Sequence, residues 1–436
     1  MPPVRIGLLG LGTVGGGTLT VLRRNAALIA ARAGRRIEVV CASARDLGKS
    51  RALDLTGIEL HADPHAVVDD PRIDILVELI GGLEPARELV LRALANGKHV
   101  VTANKALIAL HGNEIFAAAR SRGLMVAFEA AVAGGIPVIK VMREALAGND
   151  IQWLAGIING TCNFILSAMC DAGRDFSEVL AEAQRLGYAE ADPSFDVDGI
   201  DAGHKLTILA SLAFGIPLQF ERVSVEGIRN ISAEDVTYAK RLGYRIKHLG
   251  IARQQAHGIE LRVHPALVPT RAPLANVNGV MNAVMVSGDA AGPVVLFGAG
   301  AGALPTASSV VADLVDVTRA LTTDSENRVP HLAFQPDTME NLPTLDIGDI
   351  ETAYYLRLMA ADEPGVLADV TRILAALGIS IEAIMQLDRA PDTAEVPVVI
   401  LTQRVREAAM NQAITSLEAL PTIRTPLHRI RVETLT

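Results

Sequence analysis

Over the first 130 residues, short apolar runs alternate with longer segments whose apolar residues have helical spacing. The apolar runs have the length of buried strands and lie at 4–9, 37–41, 75–80 and 99–102. Between the first two runs, Leu22, Ala26 and Ile29 share one face of a predicted helix. Because strands that alternate with helices form parallel sheets, the pattern predicts an α/β domain with a parallel sheet.

The first apolar run leads directly into a glycine-rich turn, Gly10-Leu11-Gly12-Thr13-Val14-Gly15. In this spacing the first glycine permits the turn, the second lets the backbone approach a pyrophosphate, and the third lets the helix pack on the strand. The N-terminus of the helix then faces the phosphates. A purely structural turn is the alternative, but the second strand follows at the distance expected of a Rossmann-type dinucleotide-binding domain.

The residues after the second strand indicate which dinucleotide binds. Many NAD-binding domains place an acid here to hold the ribose 2′-hydroxyl, whereas this chain has Ser43, with Arg45 and Lys49 close behind. A guanidinium matches a phosphate bidentately, so NADP(H) is favoured, with NAD(H) as the second choice. The alternative is that Arg45 and Lys49 are solvated loop charges.

Two glycines and a lysine fall where strands of the predicted sheet end. Gly81 and Gly82 follow the third strand, and Lys105 follows the fourth. Ligands of such sheets bind at the carboxyl ends of the strands. Lys105 is therefore a candidate active-site cation, although a loop lysine is more often only solvated.

An acid, Glu129, is followed by small residues at a predicted turn over 130–137. Backbone carbonyls would be exposed in such a turn. A carboxylate together with carbonyls can hold a hard cation through oxygen ligands. Ordinary turn chemistry accounts for the same residues.

A run rich in acids, 187–205, leads into an apolar helical segment. If that helix begins near Gly199, Asp201 and Lys205 lie one turn apart on the same face and can meet directly. The alternative is a surface salt bridge worth roughly a few tenths of a kcal/mol.

Beyond residue 320 the chain becomes polar and carries three prolines, which predicts a linker over 321–349. Predicted strands and helices then follow in the order βαββαβ, which is typical of a ferredoxin-like unit. Its first turn, Asp362-Glu363-Pro364-Gly365, resembles that of ACT domains, which bind amino acids, usually between paired copies.

Length and composition exclude several classes of protein. The 436 residues predict two or three domains, and no apolar stretch reaches the roughly 18 residues of a membrane span. The net charge is −9 and the basic residues are scattered, so no nucleic-acid-binding surface is expected. Three irregularly spaced cysteines predict neither disulfides nor a zinc site. A cytoplasmic enzyme acting on a small molecule is the expectation.

Motifs along the whole chain resemble those of homoserine dehydrogenases. They are G-L-G-T-V-G at 10–15, A-N-K at 103–105, E-A-A-V-A-G-G-I-P at 129–137, N-G-T-C-N at 159–163 and the very specific G-Y-A-E-A-D-P…D-x-x-G-x-D-x-x-x-K at 187–205. A glycine-rich loop at 298–306 is also similar, with Ala299 where many members have proline. The resemblance implies a Rossmann-type dinucleotide-binding domain at 1–130, an α+β catalytic and dimerisation domain at 131–320 and a ferredoxin-like ACT regulatory domain at 350–436.

The family interconverts L-aspartate 4-semialdehyde and L-homoserine with NAD(P)(H), and the resemblance implies roles for several residues. Lys205 matches the lysine assigned as proton donor, with Asp201 beside it. Lys105 matches a second lysine that binds the cofactor and competes for the catalytic role. Glu190 matches the residue that binds the amino acid, with Gly187 nearby and Asp196 expected to assist.

The resemblance also implies ligands for the cofactor, a cation and an effector. The cofactor contacts match Thr13 and Val14, and the late loop closes over it at Gly302. A sodium ion of structural purpose is implied at Glu129 and at the backbone of three further residues, Val132, Gly134 and Ile136. By analogy the ACT unit binds threonine, or serves only to pair copies, and the expected assembly is a homodimer or homotetramer.

Two other functions compete with this one. A catalytically silent amino-acid sensor is expected to have lost Glu190, Asp201 and Lys205, which are all present. An NADP oxidoreductase for another amino acid, such as an aspartate dehydrogenase, is disfavoured by the 187–205 motif. No fused aspartokinase is expected, because the dinucleotide motif starts at residue 10.

Overall fold

The computed structural model describes residues 1–48, 53–386 and 395–435, which form two compact units. The first unit is built from Met1–Gly160, Asp201–Val223 and Val280–Leu342. The second is built from Thr161–Ile200, Ser224–Gly279 and Pro343–Thr436. Among the described residues, no helix is both long and apolar enough to span a membrane.

A six-stranded parallel sheet organises the first unit. Its strands lie in the spatial order Glu59–His61, Ile37–Ser43, Val4–Leu9, Ile75–Glu78, His99–Thr102 and Val126–Ala127. The order of strands along the chain reverses between the two central ones, which is where doubly wound sheets bind their ligands. The predicted Rossmann-type fold is confirmed.

Helices flank this sheet, and one of them comes from far along the chain. They are Thr13–Arg24, Ala26–Ala33, Pro64–Asp69, Ala86–Ala95, Lys105–Arg120 and Ala303–Ala320. Val310 and Leu314 of the last helix share a buried cluster with Ile6 and Leu8 of the central strand. Sequence analysis did not foresee this packing, because nothing local links residues 300 positions apart.

The first unit also contains three antiparallel strands and a buried helix. The strands are Ile151–Ile157, Met281–Gly288 and Gly292–Ala299. Helix Ile200–Phe214 belongs to this unit from Asp201 onward, and all its residues from there to Phe214 are buried. Shorter elements are the 3-10 helices Glu129–Ala131, Phe220–Arg222 and Ser325–Asn327, the turn of helix Val138–Lys140 and the π-helical turn Val141–Ala145.

The segment predicted as a linker is held against the first unit up to Leu342. His331 accepts a hydrogen bond from the backbone N–H of Val126 at 3.0 Å, and Arg328 donates to the carbonyl of Gly123 at 2.6 Å. These contacts fix residues that composition alone marks as a connection. The domain limits at 130, 320 and 349 stay predictions.

The second unit contains sheet strands that include those of the ACT-type region. Six of them lie in the order Tyr244–Gln255, Gly258–Pro269, Ile423–Val432, Glu351–Ala361, Glu395–Thr402 and Ile381–Gln386. The helices of the ACT-type region are Val366–Ala376 and Glu407–Glu418, which confirms the predicted βαββαβ order. Its last strand runs parallel to Gly258–Pro269, with Leu267 opposite Val432.

Helices of the second unit cover the other face of the ACT-type strands. The remaining helices of this unit are Gly160–Ala172, Phe176–Arg185, Ser194–Val197 and Ala233–Arg241, with 3-10 helices Pro273–Asn276 and Ile347–Asp349. The short strands Ser224–Val225 and Val405–Arg406 pair with Gly258–Pro269 and Glu351–Ala361. Tyr355 and Val399 of the sheet are buried with Ile165 and Val179 of these helices. The ACT-type strands are therefore covered on both faces. The predicted linker had instead suggested that this region is separate.

Candidate active site

The glycine turn at residues 10–15 has the geometry that its spacing predicts. Gly10 has a φ of +97°, and a Cβ on Gly15 would lie 2.0 Å from the Gly10 carbonyl oxygen. A Cβ on Gly12 would meet nothing within 4 Å, so the space above this residue is open. Only the outer two glycines are required by packing, while the middle one leaves room for the backbone approach of a bound group.

A cleft opens above this turn at the carboxyl ends of the strands. Its lining includes Gly12 and Thr13 from the turn, Ser43 and Arg45 from beyond the second strand, and Leu304. Two helices begin here, since Gly12 is the N-cap of Thr13–Arg24 and Gly302 is the N-cap of Ala303–Ala320. Helix N-termini carry partial positive charge and unpaired N–H groups, so this cleft fits a pyrophosphate.

Other predicted cofactor residues have distinct surroundings. Ser43 is buried at the end of strand Ile37–Ser43, while Arg45 is exposed at the edge of the cleft. Val14 is half-buried and packs against the core of the parallel sheet. Lys49 lies outside the described residues.

Two lysines and one aspartate meet in the first unit. Lys205 Nζ lies 2.7 Å from Asp201 Oδ2, and Lys105 Nζ lies 2.8 Å from Asp201 Oδ1. Lys205 stands one turn after Asp201 on helix Ile200–Phe214, and Lys105 is the first residue of helix Lys105–Arg120. One carboxylate thus holds two ammonium groups, one on each oxygen. We call Lys105, Asp201 and Lys205 the lysine–aspartate cluster.

The cluster is mostly closed to solvent. The Asp201 side chain is 3% exposed and that of Lys205 10%, while that of Lys105 is 34% exposed. Burial opposes ionisation of Asp201, but the charges of Lys205 and Lys105 outweigh burial and hold the pKa of this carboxyl well below its ordinary value. The pair at 201 and 205 is therefore not a surface salt bridge.

Residues at the end of strand Ile151–Ile157 complete the surroundings of the cluster. Lys205 donates a hydrogen bond to the carbonyl of Ile158 at 2.7 Å, and the amide of Asn159 donates to Asp201 Oδ2 at 2.8 Å. Asn159 belongs to the N-G-T-C-N motif, but its role was not predicted from the sequence. A polar residue directly after an apolar strand was the signal available.

Glu129 lies in a buried acidic pocket. Its carboxylate accepts from the backbone N–H groups of Ile139 and Lys140 at 2.9 and 2.8 Å, and its own N–H donates to Asp313 at 2.8 Å. Burial raises the pKa of Glu129 to about 7 and, with the charge of Glu129, raises that of Asp313 well above its ordinary value. Asp313 was not predicted from the sequence, where its signal is an acid among the apolar positions of a helix.

The three other residues predicted to bind this cation are close to Glu129 in the chain. Val132, Gly134 and Ile136 are all buried. The carbonyl of Gly134 accepts from the Ser309 hydroxyl at 2.7 Å, and that of Ile136 accepts from the N–H of Val138 at 2.8 Å. Each carbonyl oxygen has a second lone pair, so the set remains able to hold a hard cation.

The predicted substrate residues Gly187, Glu190 and Asp196 lie in the second unit. Gly187 has a φ of +75° after helix Phe176–Arg185, and Glu190 is exposed. The Thr161 hydroxyl lies 3.2 Å from the Asp196 carboxylate and donates to the carbonyl of Tyr188 at 2.7 Å. These contacts join the N-G-T-C-N motif to the acid-rich run.

Comparisons with known families cover most of the chain. Residues 10–129 match the family described as homoserine dehydrogenase, NAD binding domain, and residues 137–315 match homoserine dehydrogenase. Residues 354–419 match the ACT domain. The three matches follow the order that the sequence motifs predict.

Individual relatives agree with the family matches. Homoserine dehydrogenase from Pseudomonas aeruginosa is 62% identical over 435 residues, covering 100% of both chains. A crystal structure of a homoserine dehydrogenase from Thiobacillus denitrificans has a TM-score of 0.96 at 62% identity, over 100% of this chain and 99% of that one. A hyperthermophilic archaeal homoserine dehydrogenase in complex with NADPH has a TM-score of 0.62 at 28% identity, over 73% of this chain and 98% of its own. On this evidence the chain belongs to the homoserine dehydrogenase family.

Proposed function

We propose that the chain interconverts L-aspartate 4-semialdehyde and L-homoserine with proton transfer at the lysine–aspartate cluster. The observation that supports this most directly is the buried Asp201 carboxylate held between two ammonium groups. Reduction of an aldehyde requires a proton for the developing alkoxide, and a positioned ammonium can supply it.

Lys205 is the proposed proton donor. A reduced nicotinamide cofactor, when held above the glycine turn at 10–15, would supply the hydride for the aldehyde carbon. The Lys205 ammonium gives its proton to the carbonyl oxygen, which becomes the hydroxyl of homoserine, and water reprotonates the amine afterwards. Asp201 and the Ile158 carbonyl fix the direction of the ammonium, since both lie 2.7 Å from Nζ.

Lys105 supplies a second positive charge next to the same carboxylate. We propose that it contacts cofactor and substrate, because it is the most exposed member of the cluster and begins a helix at the carboxyl end of the parallel sheet. Glu190 is the proposed partner of the substrate α-ammonium group, with Gly187 and Asp196 shaping the same segment.

For the cofactor we propose a preference for NADP(H) over NAD(H). Ser43 offers no carboxylate to repel a 2′-phosphate, and Arg45 is exposed at the cleft where a guanidinium can bind it. We expect Arg45→Ala to raise the KM for NADPH about tenfold, a loss of about 1.4 kcal/mol, and to change the KM for NADH little. Steady-state kinetics with both cofactors measures this, with exposed Arg36→Ala as control. Equal changes in the KM for NADPH and for NADH would show that Arg45 does not recognise the 2′-phosphate.

The acidic pocket around Glu129 is the proposed site of a structural sodium ion. Glu129 and Asp313 are both buried, which raises the pKa of each carboxyl, and a cation bound to Glu129 and to backbone oxygens at 132, 134 and 136 would favour the ionised form of Glu129. In wild type we expect NaCl to raise the melting temperature more than choline chloride at equal ionic strength. Glu129→Gln should lose this difference. An unchanged difference in the variant would place the cation elsewhere.

For the ACT-type region we propose threonine as effector and pairing of copies in a homodimer or homotetramer. The support is the βαββαβ unit and the left-handed Gly365, with a φ of +97°, at the start of its first helix. Inhibition by threonine in the activity assay, together with the mass in solution, tests both points.

The proposed reaction is tested by following NADPH oxidation with a panel of aldehydes and oxo acids. We expect turnover with aspartate 4-semialdehyde and none above background with oxaloacetate, the substrate of an aspartate dehydrogenase run in reverse with ammonia. Oxidation driven by oxaloacetate and ammonia instead would overturn the proposal.

A further inference from the structure

Glu78 is a carboxylate that the proposed reaction does not use, yet it is buried at the carboxyl end of a central strand. Its relative exposure is 0%. Oε1 accepts from the N–H groups of Ile80 and Gly81 at 2.9 and 3.0 Å, and Oε2 accepts from the Thr102 hydroxyl at 2.6 Å. The carboxylate therefore joins the turn after its own strand to the end of the neighbouring strand.

Hydrogen bonds continue from Thr102 to the start of the Lys105 helix. The Thr102 hydroxyl oxygen accepts from the N–H of Asn104 at 3.0 Å. The Asn104 side chain donates to the Gly82 carbonyl at 2.6 Å and accepts from the N–H of Leu107 at 3.1 Å, which caps helix Lys105–Arg120. The groups of this path lie at the end of strand His99–Thr102, in the turn after strand Ile75–Glu78 and at the N-cap of helix Lys105–Arg120.

This hydrogen-bond path fixes a different part of the site at each of its two ends. On one side it fixes the turn at 79–82, of which Leu79 and Ile80 line the cofactor cleft. On the other it fixes where the helix begins, and the first residue of that helix places its ammonium 2.8 Å from Asp201. A displacement of about 1 Å in such a group can change a rate by roughly a hundredfold.

We propose that Glu78 is a positioning residue, whose carboxylate fixes the cofactor turn and, through Thr102 and Asn104, directs Lys105 at Asp201. The inference rests on the proposed role of Lys105. Glu78 acts on the lysine–aspartate cluster through the side chains of Thr102 and Asn104.

The three donors that face residue 78 require a side chain that only accepts hydrogen bonds. Glutamine has the same shape, but one of its two terminal atoms is a donor. In Glu78→Gln that donor would face Thr102, whose hydroxyl would have to redirect its proton, and the bond to the N–H of Asn104 would be disturbed. Because glutamine is neutral, burial does not penalise it as it penalises a carboxylate. Activity and stability should therefore change independently.

The test uses two substitutions at different points of the path and two controls. We expect Glu78→Gln and Thr102→Val each to lower the turnover number about 10-fold to 100-fold, with the melting temperature of Glu78→Gln no lower than that of wild type. Thr102→Ser keeps the hydroxyl and should retain activity. Asp74→Asn is the matched carboxylate control, since Asp74 precedes the same strand and accepts from the N–H of Arg5 at 2.8 Å. If Glu78→Gln does not fold, Thr102→Val carries the test.

A second measurement separates positioning from a general structural role. Glu78→Gln is combined with Lys105→Ala, and single-turnover rates are measured at high enzyme concentration. The effect of Glu78 on the cofactor turn should appear in NADPH binding, so NADPH is kept saturating, and if the remaining effect runs through Lys105 the substitution should cost less than threefold in the Lys105→Ala background. The same loss in both backgrounds, or turnover within about twofold of wild type for Glu78→Gln and Thr102→Val, would overturn the inference. Wild-type activity of Lys105→Ala alone would instead refute the proposed role of Lys105, so the two failures are distinguishable.

Discussion

Lys205→Ala is expected to reduce turnover with aspartate 4-semialdehyde by at least about 100-fold, the low end of general-acid effects. The ammonium belongs to the buried part of helix Ile200–Phe214, and its position is fixed by Asp201 and by the Ile158 carbonyl. The other ammonium of the cluster, on Lys105, reaches the opposite oxygen of Asp201 and so does not occupy the place of Lys205. NADPH oxidation under saturating substrate measures the effect.

The control for this prediction is Lys240→Ala, which removes an exposed lysine from helix Ala233–Arg241. It should leave turnover unchanged. NADPH binding by Lys205→Ala, followed by cofactor fluorescence, should also stay close to wild type, since Lys205 is not proposed to bind the cofactor. Turnover near that of wild type in Lys205→Ala would transfer the donor role to Lys105.

Asp201→Ala is expected to lower the free energy of unfolding by about 3–5 kcal/mol and to abolish activity. Removing one partner of a buried ion pair leaves the remaining charge without compensation, which costs more than the pair contributes. Here one carboxylate compensates two ammonium groups and also accepts from Asn159. Urea unfolding at pH 7 measures the change.

Asp69→Ala supplies the comparison for Asp201→Ala. Asp69 makes an ion pair with Arg92 that is about as exposed as an ordinary surface pair, with 42% and 45% of the two side chains exposed. Its removal should cost less than about 1 kcal/mol. If both substitutions lowered the free energy of unfolding by similar amounts, burial would not determine how much the cluster contributes to stability.

Local pattern was sufficient to predict several parts of this molecule. The glycine spacing at 10–15 specified both the tight turn and the open position at Gly12, because these depend on backbone contacts within a few residues. The spacing of Asp201 and Lys205 placed them on one helical face, where they meet. The βαββαβ order of the ACT-type region followed from strand and helix periodicity.

Contacts between distant positions could not be predicted in this way. Asp201 and Lys105 are 96 positions apart, and only the fold brings them to 2.8 Å. Glu78 was placed within an apolar run, and its importance depends on a hydroxyl 24 residues away. The packing of helix Ala303–Ala320 on the parallel sheet and the pairing of Leu267 with Val432 likewise depend on tertiary structure. Family resemblance supplied the functional assignment that spacing alone left open.

The central claim is that a cofactor bound above the glycine turn presents its reactive carbon to a substrate held at the lysine–aspartate cluster. A crystal structure of the complex with oxidised cofactor and homoserine measures this directly. We predict the homoserine hydroxyl oxygen within about 3 Å of Lys205 Nζ and the carbon that bears it facing C4 of the nicotinamide. A nicotinamide ring bound in the same cleft with C4 turned away from the cluster, and the hydroxyl out of reach of Lys205, would contradict it.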